Sequence, residues 1–352
     1  SPFGRYDEAL KATQEAAAIR RSLAEQQPEA YLPELAANLN NLGLRLRDVA
    51  LYKESLEMTQ ESVDIRRRLA ERRPERFLPD LATSLINLVS GLGLLGRHTE
   101  ALQISREAAQ LCQRLAEARP EIFLPRWAAS LVNLCNNLSE LGCYEEALLE
   151  AERASQLYRQ LTEHYSDAFL PSLAASLHNL GSTLNDLGRP EQAIDVMEEA
   201  LGYRRQLATR SPEVFLPDLA LSLNGLAVTL KALGRAEESL QAIVQAEQLY
   251  RQLAEMNPAM FLPLLALSLH NVGLVQENLG KSNEALAAFR KALQILAPFF
   301  FGTPEAYRSW MTEILKNHLR TSEAAGQDPD GLSFQIQEAL RTEEQAGDGI
   351  TH

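Results

Sequence analysis

A chain of 352 residues, 45% of them hydrophobic and 23% charged, carries ample apolar surface for a folded protein and no signature of disorder. Its formal net charge of −13 argues against a phosphate-binding surface, and so against a nucleic-acid partner, because such a surface needs a basic face to displace counterions. Three cysteines, Cys112, Cys135 and Cys143, form neither a disulfide framework nor a metal-ligand spacing and fit a reducing cytosol. No apolar run reaches the roughly 18 residues of a membrane span and no charged-then-apolar leader opens the chain, so no membrane partner is expected.

Taken in order, the chain repeats itself. Residues Gly4 to Leu10 match Gly96 to Leu102 two periods later, so the chain opens in mid-repeat and reads as a piece of a longer array. The triplet Tyr31-Leu32-Pro33 returns as Phe77-Leu78-Pro79, Phe123-Leu124-Pro125, Phe169-Leu170-Pro171, Phe215-Leu216-Pro217 and Phe261-Leu262-Pro263, every 46 residues without insertion or deletion. Each joint proline predicts the start of a helix A, with apolar residues at Leu35, Leu39, Leu42 and Leu46 and again at Leu81, Leu85, Leu88 and Leu92. Gly96, Gly142, Gly188, Gly234 and Gly280 stand where a left-handed residue closes that helix, with Ala50 the one departure. A helix B follows, of about 20 residues against about 16 for helix A. It stops before Pro28, Pro74, Pro120, Pro212, Pro258 and Pro304, where Ser166 is the exception.

Small residues recur where the two helices must touch: Gly43, Cys135, Gly181, Ala227 and Gly273 on helix A, with Val89 the bulkiest. On helix B they are Ala9, Ser55, Ala101, Ala147, Ala193, Ser239 and Ala285, followed seven residues on by Ala16, Ser62, Ala108, Ala154, Ala200, Ala246 and Ala292. Leu-Gly, then Ala, then Ala at these spacings resembles the tetratricopeptide repeat (TPR), although a standard unit has about 34 residues and this one has 46. The nearest likeness is to longer repeats with a Leu-x-Asn-Leu helix A, as in kinesin light chains and in arrays attached to signalling ATPases or caspase-like proteases. The resemblance implies an all-α, right-handed superhelical solenoid of antiparallel helix pairs. It further implies a cytoplasmic binding scaffold or sensor arm of a signalling protein, not an enzyme, with an extended peptide or helix on the concave face. The alternative is a structural array that self-associates through its ends.

The domain reading is a half-repeat over residues 1–27, six full repeats over 28–298, a worn capping repeat over 299–346 and a frayed tail over 347–352. In the cap, Phe299, Phe300, Phe301 and Trp310 close the core, and three successive aromatics about 100° apart on a helix leave at least one exposed. The last stretch is acidic, with Glu323, Asp328, Asp330, Glu338, Glu343, Glu344 and Asp348 against Arg341.

No catalytic, cofactor or metal constellation stands out. Gly91-Leu92-Gly93-Leu94-Leu95-Gly96 matches a dinucleotide fingerprint but closes a helix where that motif must open one. His178 and His270 lie two repeats apart, too far to share a metal. The candidate partner site is the row Asn41, Asn87, Asn133, Asn179 and Asn271, interrupted by Gly225, because an amide can pair with the main chain of an extended ligand whatever its sequence. The same amides can equally fix the stacking of neighbouring helices. Beside them the residues vary from repeat to repeat, and Val132, Asn136, His178, Ser182, Asn224 and His270 are the candidates for reading side chains.

Overall fold

The computed structural model describes residues 2–49, 51–328 and 331–348. Within them the chain forms fifteen α-helices, one short 3-10 turn and no strand. They fall into two compact units, residues 1–187 and 188–352. The first unit holds α1 (Pro2–Gln26), α2 (Pro28–Asp48), α3 (Tyr52–Arg72), α4 (Pro74–Leu94), α5 (His98–Ala118), α6 (Pro120–Glu140), α7 (Tyr144–Tyr165) and α8 (Leu170–Asp186). The second holds α9 (Pro190–Arg210), α10 (Pro212–Ala232), α11 (Ala236–Met256), α12 (Pro258–Asn278), α13 (Ser282–Gly302), α14 (Pro304–Ala324) and α15 (Gly331–Asp348). Helix A of each pair carries an even number and helix B an odd one.

Helix A begins earlier than the joint proline predicts. In α2, α4, α6, α10 and α12 the first residue is the proline five positions before, and the joint proline lies inside the helix. The residue ahead of each first proline is extended, as at Arg73 with φ −140° and ψ 74°, because a following proline disfavours helical backbone there. Pro33 removes one main-chain bond, but the carbonyl it orphans belongs to Glu29, an exposed first-turn residue within reach of water. Where Ser166 replaces the first proline, Ser166–Phe169 is a 3-10 turn and α8 starts at Leu170, leaving 17 residues in place of 21. The two helices of a pair are equally long in α4 and α5, at 21 residues each, and likewise in α10 with α11 and α12 with α13.

The closing glycines behave as predicted. Gly96, Gly142, Gly188, Gly234, Gly280 and also Gly326 have φ between 66° and 73°. At Gly96 the Arg97 N–H donates to the Leu92 carbonyl at 3.0 Å and the Gly96 N–H to the Gly93 carbonyl at 3.0 Å, the paired bonds of a Schellman closure. Ala50 lies outside the described residues, but the Leu51 N–H still donates to the Leu46 carbonyl at 2.9 Å.

Small residues set the spacing inside each pair. A Cβ built on Gly43 would lie 2.5 Å from Thr59 Cγ2 of α3, and one on Gly273 would lie 2.4 Å from the Phe289 ring of α13. Where helix B carries serine instead of alanine, the hydroxyl finds a carbonyl across the contact: Ser55 donates to Gly43 at 2.7 Å and Ser239 to Ala227 at 2.6 Å.

In each unit the A helices adjoin one another, α2 to α4 to α6 to α8 and α10 to α12 to α14. Among the described residues, successive B helices do not come as close, except α13 and α15 at the end of the second unit. The A helices therefore form the inner wall of each unit. Outside, long side chains bridge the B helices, as in Arg21–Glu61 and Arg67–Glu107, both at 2.6 Å and one repeat apart.

At the carboxyl end Phe300 is fully buried, Phe299 packs edge-on to Tyr307 at 5.9 Å, and Phe301 is 48% exposed. The expected division of the three aromatics holds, but the boundary drawn at 298 falls inside α13, and α15 includes Gly347 and Asp348 of the expected tail. Residues 349–352 lie outside the described residues. One expectation needs correction: α4, α10, α12 and α13 are each long and apolar enough, by length and composition, to cross a membrane. An uninterrupted-run criterion misses them because isolated charged or polar residues, such as Asp80 in α4 and Asn271 in α12, break the runs. Between 39% and 50% of each window is buried inside the protein.

Candidate functional site

The inner wall of the first unit carries a cavity of about 400 Å³ between α4, α6 and α8. Helical periodicity builds it. Asn133, Asn136 and Glu140 lie at three- and four-residue steps along one face of α6, and Asn179, Ser182 and Asp186 repeat them in register on α8. Ser90 and Gly93 contribute from the end of α4, and His98 from the start of α5.

Hydrogen bonds fix several of these groups. Asn179 Nδ2 donates to Asn136 Oδ1 at 2.8 Å, tying α8 to α6. Asn87 Nδ2 likewise donates to Asn40 Oδ1 at 3.0 Å, tying α4 to α2. Asn137 Nδ2 donates to the Asn133 carbonyl at 3.0 Å, so its Oδ1 accepts from His98 Nδ1 at 3.3 Å. Cys135 is buried, with Thr183 Oγ1 at 3.8 Å from its sulfur, and burial pushes its thiol above the ordinary value. It is not poised as a nucleophile. The Asp186 carboxyl is pushed up, first by its partial burial and then by Glu140.

The sequence candidates separate accordingly. Asn133, Asn136, Asn179 and Ser182 come together in this cavity, whereas Val132 is half-buried and does not line it. Asn41 borders a separate hollow with Thr13, Asn38 and Arg45 at α1 and α2. His178 is buried within α8, 8% exposed. In the second unit Asn224 and Asn271 are half-buried. His270 is 6% exposed and sits inside the α12–α14 contact, bonded to Asn317 at 2.9 Å and packed on Phe289 at 5.6 Å. Glu140, Asp186 and His98 were not singled out from the sequence. The first two stand one turn beyond Asn136 and Ser182, a four-residue step that extends the same face.

Profiles of the tetratricopeptide repeat match residues 35–74, 81–119, 128–206, 172–252 and 266–295, together more than half of the chain. The chain belongs to the tetratricopeptide repeat family. A profile of anaphase-promoting complex subunit 5 also matches residues 1–42 of this TPR array, a stretch no longer than its first helix pair. No curated protein matches it. Among solved structures, BtubC (BKLC) from P. vanneervenii matches with a TM-score of 0.54 and 20% identity, covering 70% of the TPR array and 92% of its own chain. The apo form of RapI matches with a TM-score of 0.55 and 11% identity, covering 87% and 99%. Aspartyl phosphate phosphatase F from Bacillus subtilis matches with a TM-score of 0.53 and 17% identity, covering 74% and 60%. At these identities the likeness is one of fold.

Proposed function

We propose that the TPR array is a protein-interaction scaffold whose first unit holds an extended segment of another protein against α4, α6 and α8. One observation carries this reading: among the described residues of the first unit, the face on which helices of the same kind adjoin opens into a polar cavity, and four of the amide and hydroxyl candidates line it. Side-chain amides there can pair with the main chain of a strand-like ligand, while the varied residues around them supply selectivity. Adjacent A helices lie about 9 Å apart and an extended chain advances about 3.3 Å per residue, so each repeat meets roughly every third ligand residue. The likeness to RapI and to phosphatase F covers architecture, and the signalling context rests on the Leu-x-Asn-Leu resemblance.

The test is capture of partners on the whole chain, identified by mass spectrometry, compared with the variant Asn133→Ala with Asn179→Ala. Partners of the groove should weaken about tenfold or more in the variant while helical content by circular dichroism is kept. Equal capture by a folded variant would move the binding surface off the A helices. A second reading, self-association through the carboxyl end, draws on the exposure of Phe301, and Phe301→Ser should then lower the size seen by light scattering.

A further inference from the structure

The cavity of the first unit has an electrostatic peculiarity. Three helices, α4, α6 and α8, end at it, and none of the three has a basic residue in its last turn. Helix carboxyl ends carry partial negative charge, which cations in the last turn ordinarily offset. Of the other A helices, α2 has Arg45 and Arg47 there and α10 has Lys231, while α12 and α14 have none. In α6 and α8, as in α2 with Asp48, the final residue is a carboxylate, Glu140 and Asp186, but in these two no last-turn cation offsets the negative charge it adds. The two acids hold the same position in successive repeats, 46 residues apart, and both line the cavity. No lysine or arginine lines it. Arg47 reaches toward it from α2 and donates to the Ser90 hydroxyl at 3.1 Å, and the His98 ring is engaged with Asn137.

Such an arrangement works against the stability of the free protein, and a cation between the two helix ends would relieve it. We propose that the groove selects a basic partner segment, with a lysine or arginine side chain of an extended peptide held between Glu140 of α6 and Asp186 of α8. This rests on the reading of the groove as a peptide site and adds what that site selects. The amides of Asn133 and Asn179 grip main chain without regard to sequence, so the acid pair supplies the discrimination. A ligand cation there meets two carboxylates and two helix ends at once, where a neutral side chain meets none of these attractions and an acidic one is repelled.

The experiment pans phage-displayed random dodecapeptides on the full chain, then measures synthetic copies of the enriched peptides by fluorescence anisotropy. Enriched peptides should share a lysine or arginine. Replacing it with norleucine should weaken binding about tenfold on the wild type and less than about twofold on the variant Glu140→Gln with Asp186→Asn. That variant should unfold no earlier than the wild type, since acids are removed from helix carboxyl ends. Peptides enriched in acidic or neutral residues would overturn the proposal, as would an equal norleucine loss on both proteins. Asn133→Ala with Asn179→Ala separates the two levels of the reading. If it abolishes binding of lysine and norleucine peptides alike while the charge variant changes nothing, the groove stands and the basic selectivity falls. If peptides bind it unchanged, or none is enriched at all, the groove reading falls and this one with it.

Discussion

Arg204 on α9 donates from one guanidinium nitrogen to the Ser222 hydroxyl of α10 at 2.8 Å and to the Asp218 carbonyl at 2.8 Å, with only 4% of the arginine exposed. Three repeats earlier Arg66 does the same with Ser84 at 2.5 Å and Asp80 at 2.7 Å. Burial lowers the pKa of both arginines, opposed by Asp218 and Asp80. The chain also contains an apolar version of this latch at the corresponding positions, where Leu296 and Ile314 are both fully buried.

Removing one partner of the latch should therefore cost more than removing both. Ser222→Ala leaves a buried guanidinium hydrogen without its acceptor and should destabilise by about 1 to 3 kcal/mol. Arg204→Leu combined with Ser222→Ile, copying Leu296 and Ile314, should recover most of that loss. Urea unfolding followed by circular dichroism measures both, and a double variant less stable than Ser222→Ala would refute the account.

The joint aromatics are unequal. Phe77 and Phe123 are 7% exposed and Phe261 9%, while Phe215 and Phe169 are half-buried, Phe169 packing edge-on to Tyr165 at 5.9 Å. Phe123→Ala should cost about 3 to 5 kcal/mol, with the loss spreading to adjacent repeats because coupling in such arrays runs between neighbours. Phe169→Ala removes less buried surface and should cost roughly 1 to 2 kcal/mol. Equal losses in chemical denaturation would show that the partial exposure of Phe169 does not lessen its contribution.

His270 should make the protein sensitive to mild acid. Asn317 Nδ2 approaches His270 Nε2 at 2.9 Å, so the ring accepts and is neutral. Its pKa is lowered from 6.5 to about 4, chiefly by burial, with Glu313 raising it and Lys231 lowering it. Because the folded value lies below the unfolded one, the unfolded chain binds the extra proton between these limits. The contribution is fully present above pH 6.5 and is lost as pH falls toward 4. It amounts to up to about 3 kcal/mol. His270→Gln should flatten this part of the stability profile, and an unchanged slope in thermal melts would assign the acid sensitivity elsewhere.

Much of the architecture was legible in the residues because its causes are local. The 46-residue period, the apolar spacing of Leu81, Leu85, Leu88 and Leu92, the left-handed glycines and the small contacts at Gly43 and Gly273 each follow from backbone geometry within a few residues. Where helix A starts did not follow, because Pro28 and Pro33 both suit a first turn by local rules. The structure resolves it in favour of the earlier proline, and Ser166 shows that losing that proline shortens the helix to 17 residues. The candidate site was half legible. The Asn row was visible as a period, but whether an amide faces a ligand or a neighbouring helix depends on residues 43 or 47 positions away, as Asn179 with Asn136 and Asn87 with Asn40 show. Glu140 and Asp186 had no mark in the sequence beyond an ordinary solvated face. Only stacking α6 against α8 sets residues 46 apart side by side at two helix ends, and it is that juxtaposition, not either residue, that gives the groove its charge.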